Sequence, residues 1–356
     1  MSGSSPATMA ARESVLRRAS RHPLAHRVAQ GLERAGVSEA DTLVLAVSGG
    51  GDSIAMLALV AALRHRTDPT LDSLAVVSID HGLRAANRDE CACAVATAHA
   101  LGIARAEVCS VRIPSVGNVL DAAREARLAA IAGLAEARRV AGTAHGAPAD
   151  RSAPTKVLLA HQADDRAEGL LLALARGAGV DALCSLLPAR TVASGAGATL
   201  ELCRPLLDIR RAELRAFLAE LSIAWHDDPS NSMRARGALR NTPAIAELVD
   251  RIAASAGHAF DEAREMVEQR DRSARAVIAE DGMSASRARL ESCPAFVQRE
   301  VARLLVHAAG GTPNRAAIDA VAETLRRGER APKRHRCEGG VELRLDAREL
   351  RAITAG

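Results

Sequence analysis

Apolar positions along the chain follow two regimes that change near residue 241. Before that point, short continuous apolar runs alternate with longer stretches whose apolar residues recur every three or four positions. The first kind reads as buried strand and the second as amphipathic helix. The pattern predicts strands at Leu43–Val47, Leu74–Asp80, Ala104–Val111, Lys156–Ala160 and Thr199–Cys203. It predicts helices at Ser53–Arg64, Asn87–Leu101, Val119–Val140, Ala163–Ala175 and Ile209–Leu221. Strands and helices alternating in this way predict an α/β fold, a Rossmann-like open parallel sheet covered by helices. Two stretches break the rhythm, Gly142–Thr155 and Pro188–Ala198. Rich in Gly, Ala, Ser and Pro, both read as exposed loops. Beyond Asn241 the pattern is helical at Pro243–Glu280, Pro294–Ala308 and Arg315–Arg327, then gives two short strands, Val341–Leu345 and Glu349–Ile353. Three parts follow: a disordered tail over 1–22, a main domain over 23–241, and a smaller, mainly helical C-terminal domain over 242–356.

Composition narrows the function classes. The 356 residues are 48% hydrophobic and 25% charged, ordinary for a globular chain. With no Tyr, one Trp and three Phe, the core must be aliphatic. The net charge of +4 permits a nucleic-acid partner without demanding one, and its positive side is almost all Arg, with only Lys156 and Lys333 as lysines. Seven dispersed cysteines without a C-x-x-C pair exclude a disulfide framework and a zinc ribbon, and fit reduced thiols in the cytoplasm. The tail lacks the apolar segment of a secretory signal. The longest apolar stretch, Ile54–Leu63, is too short to span a bilayer, so no membrane partner is expected. A homodimer is compatible with the sequence.

The first chemistry-bearing stretch is SGGGDS, Ser48 to Ser53, at the junction of the first strand and its helix. Gly49, Gly50 and Gly51 let backbone amides approach an anion with no Cβ in the way. Ser53 is the expected N-cap, and the helix start adds free N–H groups and a positive dipole end. The stretch lacks the G-K-[ST] of a Walker loop and the third glycine of a dinucleotide fingerprint. It matches S-G-G-x-D-S, the loop of ATP pyrophosphatases, with Asp52 placed as a magnesium ligand.

Other candidates cluster at the carboxyl ends of strands, where open α/β sheets bind ligands. Asp80, His81 and Arg84 end the second strand. Arg124 and Arg127 share a helix face and could grip phosphate, or form an ordinary salt-bridged surface. His161, Asp164, Asp165 and Glu168 follow the fourth strand as an acidic cluster. Such a cluster could hold a cationic substrate and take a proton from an attacking amine, or merely complement the helix dipole. The basic stretch Arg326–Arg336, with Arg334 and Arg336, reads as a phosphate-tracking patch or a solvated loop.

Taken together these motifs resemble the tRNA(Ile)-lysidine synthetases, members of the pyrophosphate-loop ATPase superfamily. The resemblance is carried by SGGGDS (48–53), DHGLR (80–84), AREAR (123–127), AHQADDRAE (160–168) with RGAG (176–179), RPLLDIRRAEL (204–214) and DPSN (228–231). It implies a tRNA-modifying ligase using ATP and Mg2+, with isoleucine tRNA of CAU anticodon and free L-lysine as partners. The C2 carbonyl oxygen of the wobble cytidine is adenylated, and the lysine ε-amine then displaces AMP to form lysidine. Carried over by motif, Ser48, Gly49, Gly50, Gly51, Ser53 and Arg127 bind ATP, and Asp52 holds magnesium. Asp52, Arg124, Asp164 and Asp165 serve catalysis. Asp80, His81, His161, Asp164, Asp165 and Glu168 line the lysine site. Arg236 and Arg240, with Arg334 and Arg336, contact tRNA. The chain departs from the family at Leu128, often Tyr, at Gln162, often His, at Arg166, often Gln, and at Gly169, often Thr. Thiolation of tRNA, or amidation of a small metabolite, are the alternative reactions on this fold. The first usually needs reactive cysteines, and the second leaves the basic C-terminal domain without a role. A nucleotide- or RNA-binding module without turnover is the non-enzymatic alternative.

Overall fold

The structure, a computed structural model, describes residues 6–80, 85–111, 126, 128–133, 155–176, 178, 184, 186–193, 199–226 and 235–354. It divides into two compact units, Met1–His258 and Ala259–Gly356.

The first unit is built on a six-stranded sheet. Its strands are β1 (Leu43–Ala46), β2 (Leu74–Asp80), β3 (Ala106–Ser110), β4 (Thr155–Leu158), β5 (Ala189–Ala193) and β6 (Thr199–Cys203), in spatial order β3-β2-β1-β4-β6-β5. All pairings are parallel except β5 with β6. The five predicted strands are present. β5 is an addition: it lies in a stretch read as loop and adds an antiparallel edge. Side chains alternate between the two faces of the sheet. Leu43, Leu45 and Leu158 enter one core, whereas Val44 and Val157 enter the other. The second core is closed by Ile131 and Ala132 from the helical residues 128–133.

The helices of this unit are α1 (Pro6–Arg21), α2 (Pro23–Arg34), α3 (Gly51–Arg64), α4 (Ala85–Ala100), α5 (Ala163–Ala175), α6 (Arg211–Glu220), α7 (Ala235–Asn241) and α8 (Pro243–Ser255). α3 is apolar all round, and Ile54 to Ala62 are each no more than 1% exposed. A helix of that kind must be covered on every side. The sheet covers one side, and α1, α2 and α6 cover the rest. This is why the N-terminal segment, expected to be a disordered tail, forms α1: its Leu16 and Ala19 are buried, and Arg18 donates to the Glu220 carbonyl at 2.7 Å. α8 packs on α5, so the first unit runs past the boundary expected at Asn241. Lys156 on β4 is tied to Asp41 at 3.1 Å and to the Gly36 carbonyl.

The second unit combines α9 (Gly257–Val277), α10 (Arg287–Glu291), α11 (Ala295–Ala308) and α12 (Arg315–Arg326) with a four-stranded antiparallel sheet. Its strands are β7 (Ser284–Ser286), β8 (Lys333–Arg336), β9 (Val341–Leu345) and β10 (Glu349–Thr354), in order β7-β10-β9-β8. Two of these strands were predicted; β7 and β8 were not. Val341, Leu343, Leu345, Leu350 and Ala352 line the core face. Arg334, Arg344 and Arg351 are direct cross-strand partners and share the other face, in one row. Arg287 is fully buried and satisfied by Glu291 at 2.8 Å and by the carbonyls of Asp346 and Glu329. Among the described residues, no helix is long and apolar enough to cross a membrane.

Candidate active site

Strand order places the site. Running from β1, the sheet grows through β2 and β3 on one side and through β4 and β6 on the other, so β1 and β4 flank the point where the winding reverses. A crevice forms outside the carboxyl ends of such a pair. The Ser48–Ser53 loop leaves β1 there, and the His161–Glu168 stretch leaves β4 there.

The loop is held by its own side chains and by close neighbours. Ser53 Oγ donates to the Gly50 carbonyl at 2.8 Å and accepts the Ser48 N–H at 3.2 Å. Gly50, not Ser53, is the N-cap of α3; Ser53 sits three residues in and reaches back. Gly49 has φ +85°, and a Cβ there would meet the Glu90 carbonyl oxygen at 2.4 Å. A Cβ on Gly51 would lie 3.2 Å from the Trp225 ring. The His226 N–H donates to the Gly49 carbonyl at 3.0 Å. Trp225 and His226 therefore brace the loop. The first-turn N–H groups of α3 have no intrahelical acceptors and are set for an anion.

Asp52 occupies the second helical position. Burial pushes its carboxyl up to about 6, with Asp165 adding to the effect, while Arg211, Gln162 and Arg215 oppose it. Gln162 is fully buried and caps α5, its Oε1 accepting the Asp164 N–H at 2.5 Å. Its Nε2 is buried without a bonded partner, yet the amide favours the charged form of Asp52.

The acidic cluster is drawn together by Arg210 and Arg211, to which the sequence reading gave no role, and by Arg240, expected on tRNA but paired here with Glu168. Arg211 lies 3.6 Å from Asp52, 3.4 Å from Asp165 and 3.4 Å from Glu168. Arg240 grips Glu168 with two bonds, at 2.6 and 2.8 Å, and the Glu168 side chain has no exposed surface. Asp164 spends both oxygens on the start of α6: Arg210 binds them at 3.0 and 3.2 Å, and the Arg211 N–H at 2.9 Å. Burial alone would raise the Asp164 carboxyl, but these bonds outweigh it and hold it below the usual range. Arg204 donates from Nε to His161 Nδ1 at 3.3 Å. Two arginines at the start of α6 oppose the helix dipole, and that conflict was the sequence signal for acidic tertiary partners.

Of the other expected residues, Asp80 is buried at the end of β2 and accepts from Asn87 at 2.9 Å. His81, Arg84, Arg124 and Arg127 lie outside the described residues. Arg236 lies on α7, while Arg334 and Arg336 lie on β8 of the second unit.

Residues 21–243 match the PP-loop domain family ATP_bind_3, more than half of the chain. The chain is 33% identical to the tRNA(Ile)-lysidine synthase of Leifsonia xyli over 290 residues, covering 76% of this chain and 77% of that one. The chain belongs to the PP-loop lysidine synthase family. A Ruegeria pomeroyi member is 39% identical over 189 residues, 53% of this chain and 40% of that one. The chain thus spans about half or less of the length of several family relatives, including one from Nocardia farcinica at 50%. Among solved structures, the U34-tRNA thiolase NcsA of Methanococcus maripaludis is a loose fold likeness: TM-score 0.44 and 16% identity, over 72% of this chain and 80% of that one.

Proposed function

We propose that the chain is a tRNA-modifying ligase that uses ATP to join L-lysine to the wobble cytidine of isoleucine tRNA with a CAU anticodon. One observation carries this reading: a glycine loop at the β1–β4 crevice with Asp52 beside an acidic cluster, in a chain of the lysidine synthase family.

The N–H groups of the loop and of the first turn of α3 take the β- and γ-phosphates. Among the described residues, no three His, Cys, Asp or Glu form a ready metal cage. Mg2+ characteristically takes one or two carboxylates and completes its shell with water and substrate phosphate, so a single carboxylate at Asp52 fits it. When bound, it neutralises phosphate charge. The cytidine C2 oxygen attacks the α-phosphorus and pyrophosphate leaves. The lysine ε-amine then attacks C2, gives up a proton, and AMP leaves with the oxygen. The cationic substrate is drawn to Asp165 and Glu168, exchanging with Arg240, whose side chain is 32% exposed, rather than with Arg211, at 18%. Asp164, committed to α6, supports the site from outside. The arginine row of the second unit suits the phosphates of the tRNA: Arg334 and Arg351 are ion-paired to Glu342, Asp281 and Glu349, yet their side chains stay 60% and 41% exposed and within reach of a phosphate.

The test is incubation with ATP, radiolabelled lysine and unmodified isoleucine CAU tRNA. Label enters the tRNA with equimolar AMP and pyrophosphate released. ATP cleavage without lysine incorporation into intact tRNA would overturn the reading.

A further inference from the structure

We propose that Trp225 is a positioning residue for the nucleotide: its indole fills the space that Gly51 leaves at the start of α3, and so holds the N–H groups of the phosphate loop in place for the triphosphate. The inference rests on the ATP-dependent reading above and deepens it at the loop.

Gly51 needs an explanation that Gly49 does not. Gly49 sits at φ +85°, a conformation that glycine adopts freely. Gly51 is the first residue of α3, is buried, and is not among the glycines at positive φ. Its backbone would suit alanine, which helices favour. The pattern S-G-G-x-D-S leaves the same position open. What excludes a side chain there is the ring: an added Cβ would lie 3.2 Å from Trp225 Cδ1 and 3.4 Å from its Nε1. The pyrrole side of the indole therefore faces the bare backbone of Gly51.

The chain brings Trp225 there by a return path. α6 starts beside the loop, with Arg211 3.6 Å from Asp52. It packs on α3 and is about 15 Å long. Residues 221–226 then lead back, a stretch that spans up to about 20 Å when extended. At its end the His226 N–H donates to the Gly49 carbonyl at 3.0 Å, and His226 bridges Gly50 in the parallel sense. Trp225 itself packs against the core that contains α3. One excursion of the chain thus holds Gly49 and Gly50 by backbone, Gly51 by the indole and Asp52 by Arg211. Donors preset in this way cost a ligand less ordering than donors that must be gathered on binding. Without the ring Gly51 loses its support, and glycine has the most freedom to regain. The acidic cluster, held by Arg210, Arg211 and Arg240, does not depend on the ring.

Equilibrium dialysis of a non-hydrolysable ATP analogue against the full chain tests this. Trp225→Leu should weaken binding by about tenfold, and Trp225→Phe, which keeps an aromatic ring, by less than about threefold. The KM for lysine should stay within about twofold of wild type in both. Gly51→Ala alone should cost between about threefold and tenfold, but less than about twofold when added to Trp225→Leu, because the methyl then enters space the ring has left. Analogue affinity equal to wild type in Trp225→Leu would mean a ring that only stabilises the fold, and would overturn the assignment. Strictly additive losses in the double variant would do the same. The wild type supplies a measurement that needs no variant to fold. Trp225 is the sole tryptophan, so its emission should shift as the charged phosphates settle beside it, and saturate at the affinity that dialysis gives. Emission unchanged at saturating analogue, or no binding of the analogue at all, would refute the proposal. If the analogue binds with these signatures but lysine never enters the tRNA, the functional reading fails and the role of Trp225 stands.

Discussion

Asp52 carries opposed demands. Its burial pushes the carboxyl to about 6 from 3.8, yet a cation ligand must be ionised. A raised carboxyl pKa means that the fold favours the protonated form. That stability is complete below the unfolded value of 3.8 and is lost as pH rises through about 6. At about pH 8 the ionised group costs the free protein on the order of 3 kcal/mol. Asp52→Asn should therefore raise the Tm at about pH 8, with the gain vanishing near pH 4 in thermal scans. The same variant should lose roughly a hundredfold or more in lysine transfer. Asp164 runs the other way. Its lowered carboxyl contributes stability above the unfolded value and loses it as pH falls through the depressed one. Asp164→Asn should cost about 1–2 kcal/mol in urea unfolding at neutral pH and flatten the acid limb of stability. The acids were legible because they sit together in sequence beside a strand end. Arg211 was not, because its three carboxylate partners belong to α3 and α5, and only the fold brings these to the start of α6.

Among elements, the phosphate loop depends on unequal glycines. Gly49 is held at positive φ against a backbone carbonyl that cannot retreat, whereas Gly51 faces an indole ring that can shift by a few tenths of an ångström. Gly49→Ala should lower stability by about 1–3 kcal/mol and abolish measurable binding of an ATP analogue. Gly51→Ala should weaken that binding by less than about tenfold, as read by equilibrium dialysis. The parallel strands were legible as apolar runs because both faces of the sheet are covered. β5 escaped because its ARTVA sequence has one strongly apolar side chain, Val192, and pairs along one edge only. α1 escaped for a related reason: its buried contribution is little more than Leu16 and Ala19, too sparse for a helical stripe, and the need for it arises from α3.

At the scale of the molecule, the division at His258 leaves a second unit with its own core and its own charged face. If its arginine row meets tRNA phosphates, Arg334→Ala with Arg344→Ala should weaken tRNA binding across sequences. The slope of log affinity against log salt should then fall by roughly 1–2, with ATP-analogue affinity unchanged. A tRNA affinity and salt slope equal to wild type would remove the row from the interface. That the second unit carries basic residues was legible from Arg326–Arg336. Their alignment into a row was not, because Arg344 and Arg351 join it only through strand register.

The near absence of lysine gives this molecule an unplanned chemical handle. Lys156 is held among the Asp41 carboxylate, the Gly36 carbonyl and neighbouring strands, with its side chain 16% exposed. Lys333, at 44%, stands on β8. An amine-reactive fluorophore applied below the pKa of bulk lysine, with the N-terminus blocked, should therefore attach almost entirely at Lys333. That dye would sit one residue from Arg334 but on the opposite face of the sheet, since Lys333 pairs with Leu345, and would report RNA docking through β8, the edge strand, with no cysteine engineering.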